Sequence, residues 1–185
     1  MPVSGYHLPL PARYALCEIE NIHDEGIVFE PIHRVIFANQ HGMSGMALVE
    51  RLLGLLNQQN GKAYLAESDA AVPAGAFAIP YITMTQKGNI IIEEPSNKLE
   101  VGALQNALDI MVKEEKVGDI DYIHGTAAVN KLATQEGNAG FMLPPMDKFM
   151  LFPAVAADGA LPRKTFSMGE ANEKRYYIES RLIAK

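Results

Sequence analysis

Cysteine is nearly absent from the chain, and its scarcity excludes two kinds of stabilising site. Cys17 is the one cysteine among 185 residues, so neither an intrachain disulfide nor a cysteine-ligated zinc centre can form. It ends the apolar run Tyr14-Ala15-Leu16-Cys17, a context typical of a buried small hydrophobic side chain. The sequence therefore predicts a fold that depends on an ordinary hydrophobic core, for which its 48% hydrophobic residues suffice.

Positive charge is also in deficit. Lysine and arginine together number 16 against 22 acidic residues, which gives a net charge of −6 and opposes sequence-independent binding to nucleic acid. The chain lacks the roughly 18 consecutive apolar residues that a membrane span needs. Its first six residues have neither the basic nor the apolar region of a signal peptide. We therefore expect a cytoplasmic protein with no nucleic-acid and no membrane partner.

The usual catalytic and cofactor-binding motifs are missing. The chain has no Gly-rich dinucleotide fingerprint, no Walker lysine loop, no nucleophile elbow and no His-Glu-x-x-His. Five histidines are scattered without the spacing of a metal-ligand cluster: His7, His23, His33, His41 and His124. The sequence thus predicts no metal site and leaves the cofactor unknown.

Hydrophobic spacing predicts an α+β fold of hairpins and helices in a single domain, residues 13–185, after an extended, proline-bearing lead-in, residues 1–12. Strands are predicted at 13–22, 27–37, 81–85, 89–93, 120–123, 139–143 and 173–183, with the first two and the next two forming hairpins. Helices are predicted at 44–60, with Ser44 as the N-cap, and at 101–116, 126–132 and 147–155. The segment 67–80 is predicted to be a loop. The charged residues 113–116 that end the second helix are interpreted as a solvated end rather than a site. A regular βαβ alternation is absent, which argues against a doubly wound sheet.

Two segments carry residues suited to chemistry. In the first, residues 21–34, Asp24 and His33 are candidate catalytic groups and Arg34 is a candidate ligand-binding cation. Neighbouring strand residues face opposite ways, so His33 and Arg34 are not expected to share one pocket. The competing interpretation is that Arg34 pairs with a nearby carboxylate and the histidines cap turns.

The second segment is residues 159–170, where two cations and two hydroxyls lie between glycines. Arg163, Lys164, Thr165 and Ser167 could surround an anion, with the cations neutralising charge and the hydroxyls donating hydrogen bonds. A surface turn with solvated charges explains the same residues. His124, followed by Gly125 and a helix, is a third catalytic candidate, or else a structural turn histidine.

Several motifs together resemble the domain-of-unknown-function ten-fifteen family. They are PARYAL at 11–16, NIHDEG at 21–26, FEPIHR at 29–34, YIHG at 122–125, GFMLP at 140–144, LPRKTFSMGEA at 161–171 and EKRYY at 173–177. The resemblance covers nearly the whole chain in order. It implies that the chain is the C-terminal half of a protein about twice as long. The first half of family members ends in an Asp-Gly-(Asn/His)-His-(Ser/Arg) motif that looks like one in ParB-like folds, and this chain lacks it.

The residues and the resemblance leave two functions open. The first is half of an enzyme that binds a phosphorylated small metabolite or a nucleotide and performs phosphotransfer or phosphate-ester chemistry. The second is a non-catalytic domain that binds an effector or forms a homo-oligomer. The expected partners are a phosphorylated small molecule and the missing N-terminal half.

Overall fold

The computed structural model describes residues 19–38, 43–60 and 62–168. Several expectations concern other residues and lie outside the described part of the chain: His7, His41, Cys17, the lead-in 1–12 and the last predicted strand, 173–183. Within the described ranges, no helix has both the length and the apolar character needed to cross a membrane.

The predicted first hairpin is wrong where it can be compared, because residues 19–22 are not a strand. Two overlapping turns follow at once. Asn21 Oδ1 accepts from the His23 N–H at 3.1 Å, and Asp24 Oδ1 accepts from the Gly26 N–H at 2.8 Å. These side chains take up backbone donors that a strand would use for its ladder, so the local polar residues favour a turn over a strand.

The described residues form a seven-stranded sheet whose neighbouring strands are antiparallel. Its strands are β1 (Phe29–Phe37), β2 (Ala63–Ala66), β3 (Phe77–Thr83), β4 (Lys87–Ile92), β5 (Asp119–His124), β6 (Asn138–Phe141) and β7 (Phe166–Met168). The strand order is β2-β4-β3-β6-β1-β5, and β7 pairs with β1. The hairpin predicted near residues 81–93 is confirmed as β3–β4.

β1 connects most of the segments that carry polar candidates. Arg34 lies opposite Phe141 of β6 on one side and opposite Tyr122 of β5 on the other. The start of the strand pairs with β7, where Glu30 lies opposite Ser167. The tail segment and the His-Arg segment are therefore neighbours in the sheet, although about 130 residues separate Arg34 from Arg163 in the chain.

Helices cover both faces of the sheet, which confirms the predicted α+β class. They are α1 (Gly45–Asn60), α2 (Glu100–Asp109), α3 (Thr126–Ala133) and α4 (Leu151–Asp158). Ser44 caps α1 as predicted, its Oγ accepting from the Ala47 N–H at 3.1 Å. α1 and α2 bury their apolar faces against Ile36, whereas α3 packs on Val35, the adjacent β1 residue, which faces the other way.

α2 does not continue as one regular helix to residue 116. After Asp109 it changes to a π-helical turn, Ile110–Glu114, closed by a hydrogen bond from the Glu115 N–H to the Ile110 carbonyl at 3.0 Å. The charged end is also not simply solvated. Glu115 is three-quarters buried and forms an ion pair with Arg51 of α1.

Candidate functional site

Arg34 is the most unusual side chain in the described structure. It is fully buried (0% exposed), yet carries a guanidinium group. Its Nε donates to Gln105 Oε1 at 3.1 Å, Nη1 donates to the Ile32 carbonyl, and Nη2 donates to the Arg163 carbonyl at 3.2 Å. The guanidinium carbon also lies 4.9 Å from the centre of the Tyr122 ring. The Arg34 side chain, which belongs to β1, therefore contacts α2, β5 and the loop before β7.

The charge of Arg34 has no carboxylate partner within 4.0 Å among the residues that the structure describes. Burial lowers the pKa of this guanidinium to about 10; the Arg163 cation acts in the same direction, and Tyr122 acts against both. The group therefore stays protonated near neutral pH. An unpaired buried charge is costly, on the order of several kcal/mol, unless hydrogen bonds or a counter-charge compensate it.

Arg163 lies at the surface above the same tyrosine. Its guanidinium carbon is 5.4 Å from the centre of the Tyr122 ring, and its side chain is 54% exposed. Nη2 lies 3.4 Å from Asp109 Oδ1, a long and weak ion pair. Because Arg34 holds the Arg163 carbonyl, the backbone of this cation is fixed while its head group faces solvent.

Asp109 contacts several members of a group that we call the cation cluster, which comprises Arg34, Gln105, Asp109, Lys113, Tyr122 and Arg163. Its Oδ2 accepts from Lys113 Nζ at 2.5 Å, and its Oδ1 accepts from Gln105 Nε2 at 2.7 Å. Burial alone would raise the Asp109 pKa, but hydrogen bonds from Lys113 and Gln105 and the charges of Lys113 and Arg163 outweigh it and lower that pKa. Gln105 thus links buried Arg34 to surface Asp109 through its two amide ends.

A polar cleft of about 450 Å³ opens beside Asp109. Its lining is rich in amides and charged groups: Gln59, Ser96, Asn97, Asn106, Asp109, Ile110, Lys113 and Glu114. The volume lies within the range of small-molecule sites. The cleft and the Arg163 head group share Asp109 as their common neighbour.

The predicted anion loop divides into exposed cations and buried hydroxyls. Arg163 and Lys164 are exposed, and Lys164 has a left-handed backbone, with φ of 57°. Thr165 and Ser167 are both buried, and Thr165 Oγ1 donates to the Pro162 carbonyl at 2.5 Å. The threonine hydroxyl therefore closes the turn rather than pointing to solvent.

The two catalytic histidine candidates occupy different environments. His33 is buried, and its Nδ1 accepts from the Leu143 N–H at 3.1 Å. Burial, assisted by the charges of Arg34 and His124, lowers the His33 pKa. His124 is exposed at the end of β5, opposite Ile32, and by strand alternation it shares the face of Tyr122 and Arg34. His124 is the histidine on the side of the cation cluster.

Asp24, the third catalytic candidate, is not joined to this cluster. It is exposed in the turn before β1, where its carboxylate accepts from the Gly26 N–H and its carbonyl accepts from Lys148 Nζ at 2.5 Å. Across the described ranges, no hydrogen bond or ion pair connects Asp24 with Arg163, His33 or His124. Nor does any group of three or more His, Cys, Asp or Glu side chains there come close enough to hold a metal ion.

No family model matches this chain, and neither does a curated protein or a solved structure. Membership of the domain-of-unknown-function ten-fifteen family thus stays a proposal that the motifs of the sequence support.

Four cluster members escaped the sequence-based prediction: Gln105, Asp109, Lys113 and Tyr122. Three of them follow each other at intervals of four residues, which places Gln105, Asp109 and Lys113 on one side of a helix. That spacing was a usable signal. Tyr122 had none, because its position over the two arginines depends on the register of β5 against β1.

Proposed function

We propose that the chain binds the phosphate group of a small metabolite or nucleotide at Arg163 and Lys164, and that it supplies this site to an enzyme for phosphate-ester or phosphotransfer chemistry. In this proposal Arg34 does not touch the ligand. It positions the Arg163 backbone from inside the domain.

The observation that carries the proposal is a local excess of positive charge in an acidic chain. Arg34, Arg163 and Lys113 converge on one cluster, and Asp109 is the carboxylate that forms ion pairs with the last two. Lys164 adds a further exposed cation next to Arg163. A net positive patch on a chain with net charge −6 attracts an anion, and a guanidinium can bind phosphate oxygens through two donors.

The catalytic part of the proposal assigns proton transfer to His124. Its imidazole is exposed on the side of the sheet that carries Tyr122, and an imidazole can serve as a general acid or base. Buried His33 instead accepts a backbone hydrogen bond. The remaining catalytic groups belong, in this proposal, to the N-terminal half that the family resemblance implies.

A second candidate function is a non-catalytic domain that binds an effector or assembles with other copies. The supporting observation is the apolar surface around α4. Phe152 is 67% exposed, Phe149 52% and Met168 51%, although large apolar side chains usually lie inside. The test is the sedimentation coefficient measured over a dilution series. A coefficient that falls on dilution would show a concentration-dependent oligomer and favour this candidate.

The phosphate site is tested by thermal unfolding with a panel of inorganic phosphate, nucleotides and phosphorylated metabolites. A ligand at a hundred times its dissociation constant adds about 2.7 kcal/mol of stability. For a domain of this size that raises the melting temperature by about 5 °C or more. The Arg163→Gln variant should lose this increase in melting temperature, because it lacks the cation that binds phosphate. It should still fold, since the Arg163 side chain is mostly exposed.

Lys131→Gln is the matched control, because it removes one exposed positive charge on α3, away from the cluster contacts. It should keep the ligand-induced shift. Equal loss in both variants would mean that only overall charge matters, which contradicts a site at Arg163. The enzyme and the binding module are then separated by His124→Asn, assayed together with the N-terminal half that the family resemblance implies. An enzyme loses turnover while keeping phosphate binding, whereas a module shows no turnover in either form.

A further inference from the structure

Asp109 occupies the position in the cluster at which an anionic ligand would meet Arg163. Its Oδ1 lies 3.4 Å from Arg163 Nη2, while its Oδ2 is held by Lys113 at 2.5 Å. The two contacts are unequal, because the lysine contact is short and the arginine contact is long. Arg163 can therefore leave Asp109 at small cost, while Lys113 keeps the carboxylate in place.

We propose that Asp109 is a built-in competitor of the ligand: it neutralises Arg163 in the free protein, and a phosphate must displace it from the guanidinium to bind. This inference rests on the proposed phosphate site and adds a cost that every anion must meet to bind there. Asp109 acts through its contact with Arg163, so it sets the affinity of the site and is not a catalytic residue.

The charge of an anion decides how well it can displace Asp109. A free monocarboxylate offers Arg163 the same single charge that Asp109 already provides, and it lacks the advantage of being tethered beside the guanidinium. A phosphate monoester carries a charge of about −1.5 to −2 near pH 7 and presents three acceptor oxygens. It can engage Arg163 and the adjacent Lys164 at once. A phosphate ester is therefore the anion better able to displace Asp109. The displacement itself lowers the affinity of a monocarboxylate and of a phosphate by the same factor.

Gln105 makes the arrangement stable in both states. Its amide N–H₂ donates to Asp109 while its oxygen accepts from buried Arg34. When Arg163 moves to the ligand, Asp109 retains the bonds from Gln105 and Lys113, so the carboxylate is not left without partners. The interior of the cluster therefore need not rearrange when the anion enters.

The decisive experiment is the Asp109→Asn variant, titrated with inorganic phosphate and with acetate by calorimetry. Asparagine keeps an oxygen that can accept from Gln105 but loses the charge that competes for Arg163. Phosphate affinity should rise about two- to five-fold, the effect of one exposed ion pair. Acetate is the monocarboxylate reference: its affinity should rise by the same factor, and it should still bind the variant far more weakly than phosphate does.

Glu114→Gln is the matched control, since Glu114 lines the same cleft and has an exposed side chain without a contact to Arg163. It removes the same charge, so a gain in phosphate affinity equal to that of Asp109→Asn would reduce the effect to general electrostatics and overturn the proposal. Weaker phosphate binding by Asp109→Asn would show that Asp109 anchors Arg163 for the ligand, which also overturns it.

The unchanged protein provides a second measurement that does not depend on a variant folding. The carboxyl ¹³C signal of Asp109 and the guanidinium signal of Arg163 should shift together as phosphate is added. An Arg163 shift without an Asp109 shift would refute the displacement. The proposed phosphate site fails separately, if neither the unchanged protein nor Asp109→Asn binds phosphate.

Discussion

At the scale of single residues, the described structure departs most from a simple apolar core at His33 and Arg34. These neighbours on β1 are both buried and face opposite sides of the sheet, as strand alternation requires. His33 accepts a hydrogen bond from Leu143, whereas Arg34 donates three hydrogen bonds. Arg34 stays protonated near neutral pH, whereas His33 Nδ1 must stay unprotonated to accept its hydrogen bond.

Acid should destabilise the fold through His33. Because burial, Arg34 and His124 lower its folded pKa, the unfolded chain binds the proton more readily. The stabilising contribution is full above the unfolded pKa of about 6.5 and is lost as pH falls below it toward the folded pKa. We expect the free energy of unfolding, measured in urea, to fall between about pH 7 and pH 5.

His33→Asn should flatten that pH dependence, because an asparagine oxygen can accept from Leu143 and does not titrate. His23→Asn is the control: it removes an exposed imidazole from the turn before β1 and should leave the slope as it was. An unchanged slope in His33→Asn would contradict the assignment of the acid sensitivity to this residue.

At the scale of helices and strands, close packing of α3 on β6 depends on a glycine. A Cβ added to Gly140 would lie 2.7 Å from Ala133 Cβ and 2.7 Å from Val129 Cγ1, both on α3. These contacts are far inside van der Waals distance. The missing side chain lets α3 lie against the sheet beside β1, which forms the face opposite to α1 and α2.

Replacing glycine by alanine should therefore change the free energy of unfolding in opposite directions at two positions. Gly140→Ala should destabilise by about 1–3 kcal/mol, because the helix must move away from the strand. Gly54→Ala, within α1, should stabilise by up to about 1 kcal/mol, since its new methyl group would meet only Arg51 Nη1 at 3.7 Å. Urea unfolding gives the free energy of unfolding of each variant. The packing argument is contradicted if both variants are destabilised or both are stabilised.

The elements also differ in how far the sequence could predict them. α1 and β3–β4 are confirmed because their apolar residues recur regularly, although the turn between the strands comprises residues 84–86 and Gly88 lies within β4. β2 (Ala63–Ala66) and β7 (Phe166–Met168) were missed, since three or four residues show little periodicity. Each of these two strands is stabilised by backbone hydrogen bonds to a longer neighbour. β2 pairs with β4, and β7 pairs with β1. The equally short β6 was predicted because Pro144-Pro145 follows it and marks its end.

At the scale of the whole molecule, the charge distribution distinguishes the proposed site from its surroundings. The chain carries a net charge of −6, yet Arg163 and its sequence neighbour Lys164 are both exposed, and Arg163 shares the carboxylate of Asp109 with Lys113. The acidic background opposes binding to an extended polyanion such as nucleic acid, whereas a small phosphate needs only the local patch.

Phosphate binding should accordingly weaken with salt. Exposed cations are screened over roughly 10 Å at 0.1 M and roughly 3 Å at 1 M. We expect the dissociation constant to rise several-fold between about 0.05 M and about 0.5 M sodium chloride, measured by calorimetry. An affinity that is independent of salt would argue for a buried site instead, and would contradict binding at Arg163 and Lys164.

The sequence by itself determined the α+β class, the two long helices, the capping by Ser44 and the separation of His33 from Arg34. Each of these follows from spacing along a few neighbouring residues. Only the tertiary structure decided which groups Arg34 and Arg163 contact. Their connection through one carbonyl depends on β1 pairing with β7 across the whole chain, and the role of Asp109 depends on α2 lying beside that pair. Contacts between distant segments arise from packing and strand register, which local periodicity does not encode.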